Sequence, residues 1–133
     1  MDFFKRIIFF FGFLFLFIFP FKNEDIRVIE IGEEEFVVEI SRTEKEKRKG
    51  LSKRENLKEG HGMLFLYKEE GNFTYQTMEM LFPIDIVFIN KKEVVEVFRD
   101  VLPGNVVEAT KKADAVFETT ANSKVNEGDT VLY

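Results

Sequence analysis

Short stretches of alternating apolar and polar residues, separated by turn-forming clusters, fill most of the chain beyond its first 25 residues. Ile26–Ile31 and Glu35–Ser41 are rich in Val and Ile and flank Gly32-Glu33, which predicts two strands joined by a turn. Thr43-Glu44-Lys45-Glu46 follows and has the form of a capping box. The Thr43 hydroxyl can cap a helix while the Glu46 side chain reaches back to the cap amide. Lys47, Arg48 and Lys49 suit its last turn and Gly50 suits its end, so the helix is short. Leu51–Gly62 reads as a loop with a charged middle, Met63–Tyr67 as a strand, Lys68–Asn72 as a turn and Phe73–Met80 as another strand. Pro83 opens a strand at Ile84–Ile89, and Asn90-Lys91-Lys92 turns it into Glu93–Val101, forming a hairpin. Val106–Ala109, Ala115–Thr119 and Thr130–Leu132 are short strands, with Glu127-Gly128-Asp129 as the last turn. Many short strands, frequent turns and one helix predict a mostly β fold: one small β-sandwich or barrel-like domain over residues 23–133.

The first 22 residues differ from the rest. Lys5 and Arg6 precede an apolar run of 15 residues, Ile7–Phe21, which holds most of the ten Phe found before Lys22. Cations followed by an apolar run are the layout of a signal sequence. The run is shorter than the ~20 residues that span a bilayer comfortably, and no A-x-A cleavage site follows it. A cleaved signal peptide and an uncleaved membrane anchor through residues 7–21 both fit. The positive-inside rule keeps Lys5 and Arg6 in the cytoplasm and sends the domain to the extracytoplasmic side, tethered or secreted.

Charge and cysteine content narrow the chemistry. The net charge is −5, and because Lys5, Arg6 and Lys22 stand against Asp2 alone, it becomes −7 beyond Lys22. An acidic surface does not favour nucleic acid, whose affinity rests on neutralising phosphates. The absence of cysteine removes disulfides, thiolate metal sites, cysteine nucleophiles and lipid-bearing cysteine. A single histidine, His61, excludes multi-histidine metal sites, and no Gly-x-Ser-x-Gly elbow or Gly-rich phosphate loop is present. No cofactor is implied.

Four segments together are similar to one family. Gly50-Leu51-Ser52-Lys53-Arg54, Gly62-Met63-Leu64-Phe65, Pro83-Ile84-Asp85-Ile86 running on to Ile89, and Val116-Phe117-Glu118 with Gly128-Asp129 resemble the motifs of the domain of unknown function 192. The resemblance covers roughly Glu35 to Leu132. Where that family usually has a Trp-Met pair, this chain has Gln76-Thr77 and Met78-Glu79, and the Gly that usually follows the Val-Leu-Glu segment is replaced near Asn122. The resemblance implies a compact β-sandwich, often exported behind a signal or lipid anchor, and implies no reaction.

Several residues can carry chemistry. Strand alternation places Asp85 on one face with Val87 and Ile89, and a carboxylate among apolar side chains must be paired or used. It is either an active-site acid or ligand anchor, or a structural group taking bonds from loop amides or Arg54. Arg54 can clamp an anion bidentately or pair with Asp85 or Glu55. Glu118 and Glu108 lie in or beside apolar strands, and with Asp85 they are candidates for an acid/base pair. His61, between two glycines, reads as a loop-tip residue. It joins Met63, Met78 and Met80 as a possible soft-metal set, because thioethers and imidazole suit Cu(I); the alternative is that these methionines fill the core. Asn72-Phe73-Thr74 fits an N-glycosylation acceptor. Three functions therefore compete: an extracytoplasmic module binding a protein or small-molecule ligand around Arg54, Asp85, Glu118 and His61; a copper-binding protein; and a hydrolase using carboxylates near Asp85.

Overall fold

The computed structural model describes residues 25–133; the segment Met1–Lys22, read as a signal peptide or membrane anchor, lies outside them. The elements in order are β1 (Ile26–Ile31), β2 (Glu34–Ser41), α1 (Glu44–Lys49), β3 (His61–Gly71), β4 (Thr74–Gln76), β5 (Ile84–Asn90), β6 (Glu93–Val101), β7 (Val106–Glu108), β8 (Ala113–Thr120) and β9 (Val131–Leu132). Among the described residues no helix is long and apolar enough to cross a membrane.

The fold is mostly β, but it is not a sandwich of two matched sheets. Seven strands form one sheet in the order β6-β5-β8-β3-β2-β1-β9, and β4 and β7 form a separate two-stranded ribbon. All neighbours in the large sheet are antiparallel except β2 and β3, which run parallel. That parallel pair needs a crossover, and α1 with the loop to Gly60 supplies it. The sheet curls into a half-barrel whose end strands meet at one rim, where Glu93 bridges Thr130 and the Val131 amide donates to the Lys92 carbonyl at 2.8 Å.

The curl creates two apolar regions. Ile29, Phe36, Leu64, Val87, Phe117 and Val131 belong to the inner core, which draws on all seven strands. Phe65, Ile84, Ile86, Phe88 and Val116 belong to the outer face, covered by Leu51 after α1, by Met80 and by Val107 of the ribbon. Strand β5 is thus buried on both sides, which explains its near-continuous apolar run.

The capping box forms as expected. The Glu46 amide donates to Thr43 Oγ1 at 3.1 Å, and the Thr43 amide donates back to Glu46 Oε2 at 3.3 Å. Two predicted elements change. The Lys68–Asn72 turn is replaced by a continuation of β3 to Gly71, beyond the register shift that separates Leu66 from Gly71 in its pairing with β8. The Phe73–Met80 strand shrinks to Thr74–Gln76. It stops because Thr77, buried, turns its hydroxyl to the Leu102 carbonyl at 2.7 Å and accepts from the Asn105 amide at 3.0 Å. These bonds tie the loop after β4 to the loop after β6, and the Thr77 carbonyl, taken by the Gly104 and Met80 amides at 2.8 and 3.2 Å, does not extend the ladder.

Gly62 sits where β3 is squeezed between β2 and β8. A Cβ there collides with the Glu118 carbonyl oxygen and the Phe117 ring. Backbone and a buried ring cannot yield cheaply, so Gly62→Ala is expected to destabilise the domain by about 3 kcal/mol, read as a lowered urea midpoint.

Candidate ligand-binding cleft

Antiparallel register places Ile86, Glu118 and Met63 side by side on the outer face, and parallel pairing adds Glu39 beyond Met63. Glu118 therefore emerges from a row otherwise covered by apolar side chains. Its cover is incomplete. Between α1 with the turn Gly50–Ser52 on one side and β4 with Met78–Met80 on the other lies a cleft of about 300 Å³, with Glu118, Phe65, Tyr67 and Tyr75 among its lining residues.

Glu118 is 5% exposed, and among the described residues its carboxyl has neither a hydrogen-bond nor an ion-pair partner. Burial disfavours the charged form and pushes its pKa up to about 8. Tyr67 and Tyr75 also line the cleft, their hydroxyls bonded to each other at 2.6 Å. Burial raises both phenols, Tyr75 the more strongly, and the Glu118 charge adds to the effect. Lys47, Arg48 and Lys49 of α1 and Glu44 and Glu79 complete the charged lining, with Lys47 Nζ lying 3.8 Å over the Tyr67 ring. The two tyrosines were not among the sequence candidates. The signal that could have found Tyr67 is its parity with Met63 and Phe65 on β3.

The remaining candidates scatter. Asp85 faces the inner side, because it pairs with Thr119 and not with Glu118. It is fully buried and accepts from the Asp100 amide at 2.9 Å, the Ser123 amide at 2.9 Å and the Ser123 hydroxyl at 2.7 Å, with Arg99 Nη1 at 3.8 Å. Its carboxylate is held by an amide of β6 and by Ser123 after β8, and its arginine is Arg99, not Arg54. Arg54 engages Glu39, bidentately at 2.5 and 3.2 Å, and not Asp85 or Glu55. Asp85 and Glu118 thus lie on opposite faces of one sheet and do not form a pair. Glu108 is exposed on the β7 ribbon.

His61 opens β3 instead of sitting at a loop tip, with its ring 3.3 Å from the Glu59 carbonyl. Met63 is buried beside Glu118. Met78-Glu79-Met80 lies in turns, so its two thioethers do not share a strand face: Met78 is 54% exposed and Met80 is 6% exposed in the outer core. Asn72 donates to the Ala109 carbonyl at 3.5 Å. Asn122, standing near the missing Gly, has φ 71°, a left-handed conformation that Asn tolerates better than other side-chain-bearing residues.

Fold and cleft together define a small half-barrel β domain with one buried acid facing a partly open cavity. The sequence of residues 27–132 matches the family model described as Uncharacterized ACR, domain of unknown function 192, and the chain belongs to that family. No curated protein matches it. Among solved structures, a protein of unknown function from Novosphingobium aromaticivorans DSM 12444 is similar, with a TM-score of 0.79 at 24% identity, covering 86% of this chain and 89% of that one. The "putative transcription regulator" of Sinorhizobium meliloti 1021 has a TM-score of 0.78 at 18% identity, covering 82% of this chain and 94% of that one. At these identities the likeness is one of fold.

Proposed function

We propose that this chain is a non-catalytic, extracytoplasmic ligand-binding module whose site is the Glu118 cleft. One observation carries the reading. A carboxyl group buried without a partner is costly, and here it faces a cavity that a ligand can fill. A sheltered concavity with few convergent polar groups is the usual form of a small-molecule site. Binding is favoured over catalysis because the second carboxylate expected for acid/base work, Asp85, lies across the sheet and is already held by Asp100 and Ser123. The cations Lys5 and Arg6 ahead of an apolar run support export.

The test is the melting temperature of the full chain in mild detergent against sugars, amino acids, polyamines, carboxylates and phosphates. A ligand at about 100 times its dissociation constant adds ~2.7 kcal/mol to the folded state, which raises the midpoint of a domain this size by roughly ten degrees. The rise should vanish in Glu118→Leu, which removes the polar floor and keeps an apolar side chain of similar bulk. A rise that survives Glu118→Leu places the site elsewhere and overturns the reading.

A further inference from the structure

We propose that the cleft takes a small organic anion, a carboxylate or a phosphate on a short body, held by the Tyr67 and Tyr75 hydroxyls and the carboxylic acid of Glu118 beneath the cations of α1. This rests on the reading of the cleft as a ligand site. The rings argue first. Tyr67 has Phe73 stacked on it at 3.9 Å and the Lys47 ammonium over it at 3.8 Å, and Tyr75 packs edge-on against Phe65 and Phe88. With those contacts made, what the tyrosines offer a ligand is hydroxyl and not ring face. Because one hydroxyl donates to the other, the pair keeps one proton to give.

Charge argues next. Lys47 is 4.0 Å from Glu44, and Glu79 is 3.8 Å from Lys53. Arg48 and Lys49, which also line the cleft, have no carboxylate within ion-pair distance among the described residues. A cationic ligand would need Glu118 ionised in a buried position and would meet these two cations. An anion meets neutral donors at the floor and positive charge at the mouth. A cavity near 300 Å³ fits a small metabolite.

The proton makes the proposal testable. The titratable groups around Glu118 are Glu44, Lys47, Arg48 and Lys49 from α1, Tyr67 from β3, Tyr75 from β4 and Glu79 from the turn that follows; β5 contributes Ile86 beside it. With both phenols raised, Glu118 is the buried group of the cleft that changes state between pH 6 and 9. An anion needs its proton in place, so affinity should fall about tenfold between pH 6 and pH 9.

Titration calorimetry on the full chain in detergent, with phenylacetate, phenyl phosphate, benzylamine and benzyl alcohol, reads this directly. Saturable binding of phenylacetate or phenyl phosphate is expected, and which of the two binds identifies the oxyacid. The double variant Tyr67→Phe, Tyr75→Phe should weaken it at least tenfold. Glu118→Gln keeps a donor but cannot titrate, so it should retain binding and lose the pH dependence. Benzylamine or benzyl alcohol binding in place of the anions, and weakened by the tyrosine double variant, would overturn the anion and leave the cleft as the site. Anion binding that the tyrosine double variant does not weaken, or whose pH dependence persists in Glu118→Gln, or no binding of any probe at about 10 mM, the weak end of specific recognition, would also overturn it.

Discussion

Asp85→Ala should cost the domain about 3–5 kcal/mol, the range seen when a buried, hydrogen-bonded charge network loses one partner. The side chain joins three parts of the fold. The first is β5, which carries it. The second is the β6 bulge, where pairing shifts by one residue between Ile84 and Ile86 and Asp100 adopts φ 51° with its amide on Asp85. The third is the segment after β8, where the Ser123 amide and hydroxyl both donate to Oδ2. Arg99 tightens the same junction by donating to the carbonyls of Ser123 and Val125 and to Asn126 Oδ1. Alanine strands these donors in a place water reaches poorly. Asp85→Asn is a milder change, since one oxygen survives while the new amide NH2 confronts N–H groups, and its stability should fall between that of the alanine variant and wild type. For contrast, Arg54→Ala breaks a partly exposed ion pair and should cost about 1 kcal/mol or less. Urea denaturation with an unchanged m-value checks all three. A loss below about 1 kcal/mol for Asp85→Ala would show that the junction does not depend on the carboxylate. Because Asp85 and Glu118 occupy opposite faces, ligand binding by the Asp85→Asn chain should persist wherever that chain is folded.

The same residue shows how far a sequence can be read. Alternation along Ile84–Ile89 assigns Asp85 to the face of Val87 and Ile89, and the structure agrees. Alternation is a local property of the strand and says nothing about which arginine arrives, so it could not choose between Arg54 and Arg99, and the fold brings Arg99. The α1 cap was legible for the same local reason: a Thr and a Glu three residues apart satisfy each other's backbone. Local composition misled where long-range pairing decided. Lys68-Glu69-Glu70-Gly71 has the makeup of a turn, yet it extends β3. Met78-Glu79-Met80 has the makeup of a strand, but Thr77 bonds across to Leu102 and Asn105 and ends the strand first. Within the cleft, Glu118 could be singled out as a carboxylate in an apolar strand. Tyr75 could not, because its meeting with Tyr67 depends on the ribbon of β4 and β7 folding over the sheet.

Glu118 gives the second large effect, and its sign is opposite to that of an ordinary paired carboxylate. Its pKa lies near 8 in the folded domain against an ordinary value of 4.5. Below pH 4.5 the group is protonated in both states and contributes no pH dependence. Between 4.5 and 8 the unfolded chain gives up the proton while the folded domain keeps it, so stability falls as pH rises, by about 1.4 kcal/mol per pH unit. Above 8 both states are ionised and the full penalty, about 5 kcal/mol, is in place. Glu118→Gln removes this slope without changing shape. The variant should match wild type at about pH 4, exceed it progressively from about pH 5 onward and be several kcal/mol more stable at about pH 9. Taking the difference between the two chains by urea denaturation at each pH cancels the contributions of the other carboxylates, including Asp25, whose pKa is lowered chiefly by its hydrogen bond from Arg27. Parallel profiles would mean that water or a rearrangement relieves the buried charge. Diverging profiles would mean that the domain keeps an acid that a single substitution could exchange for greater stability at neutral and alkaline pH. Groups retained at a cost to stability are most often those that function requires, and the cavity in front of Glu118 is where that function would be exercised.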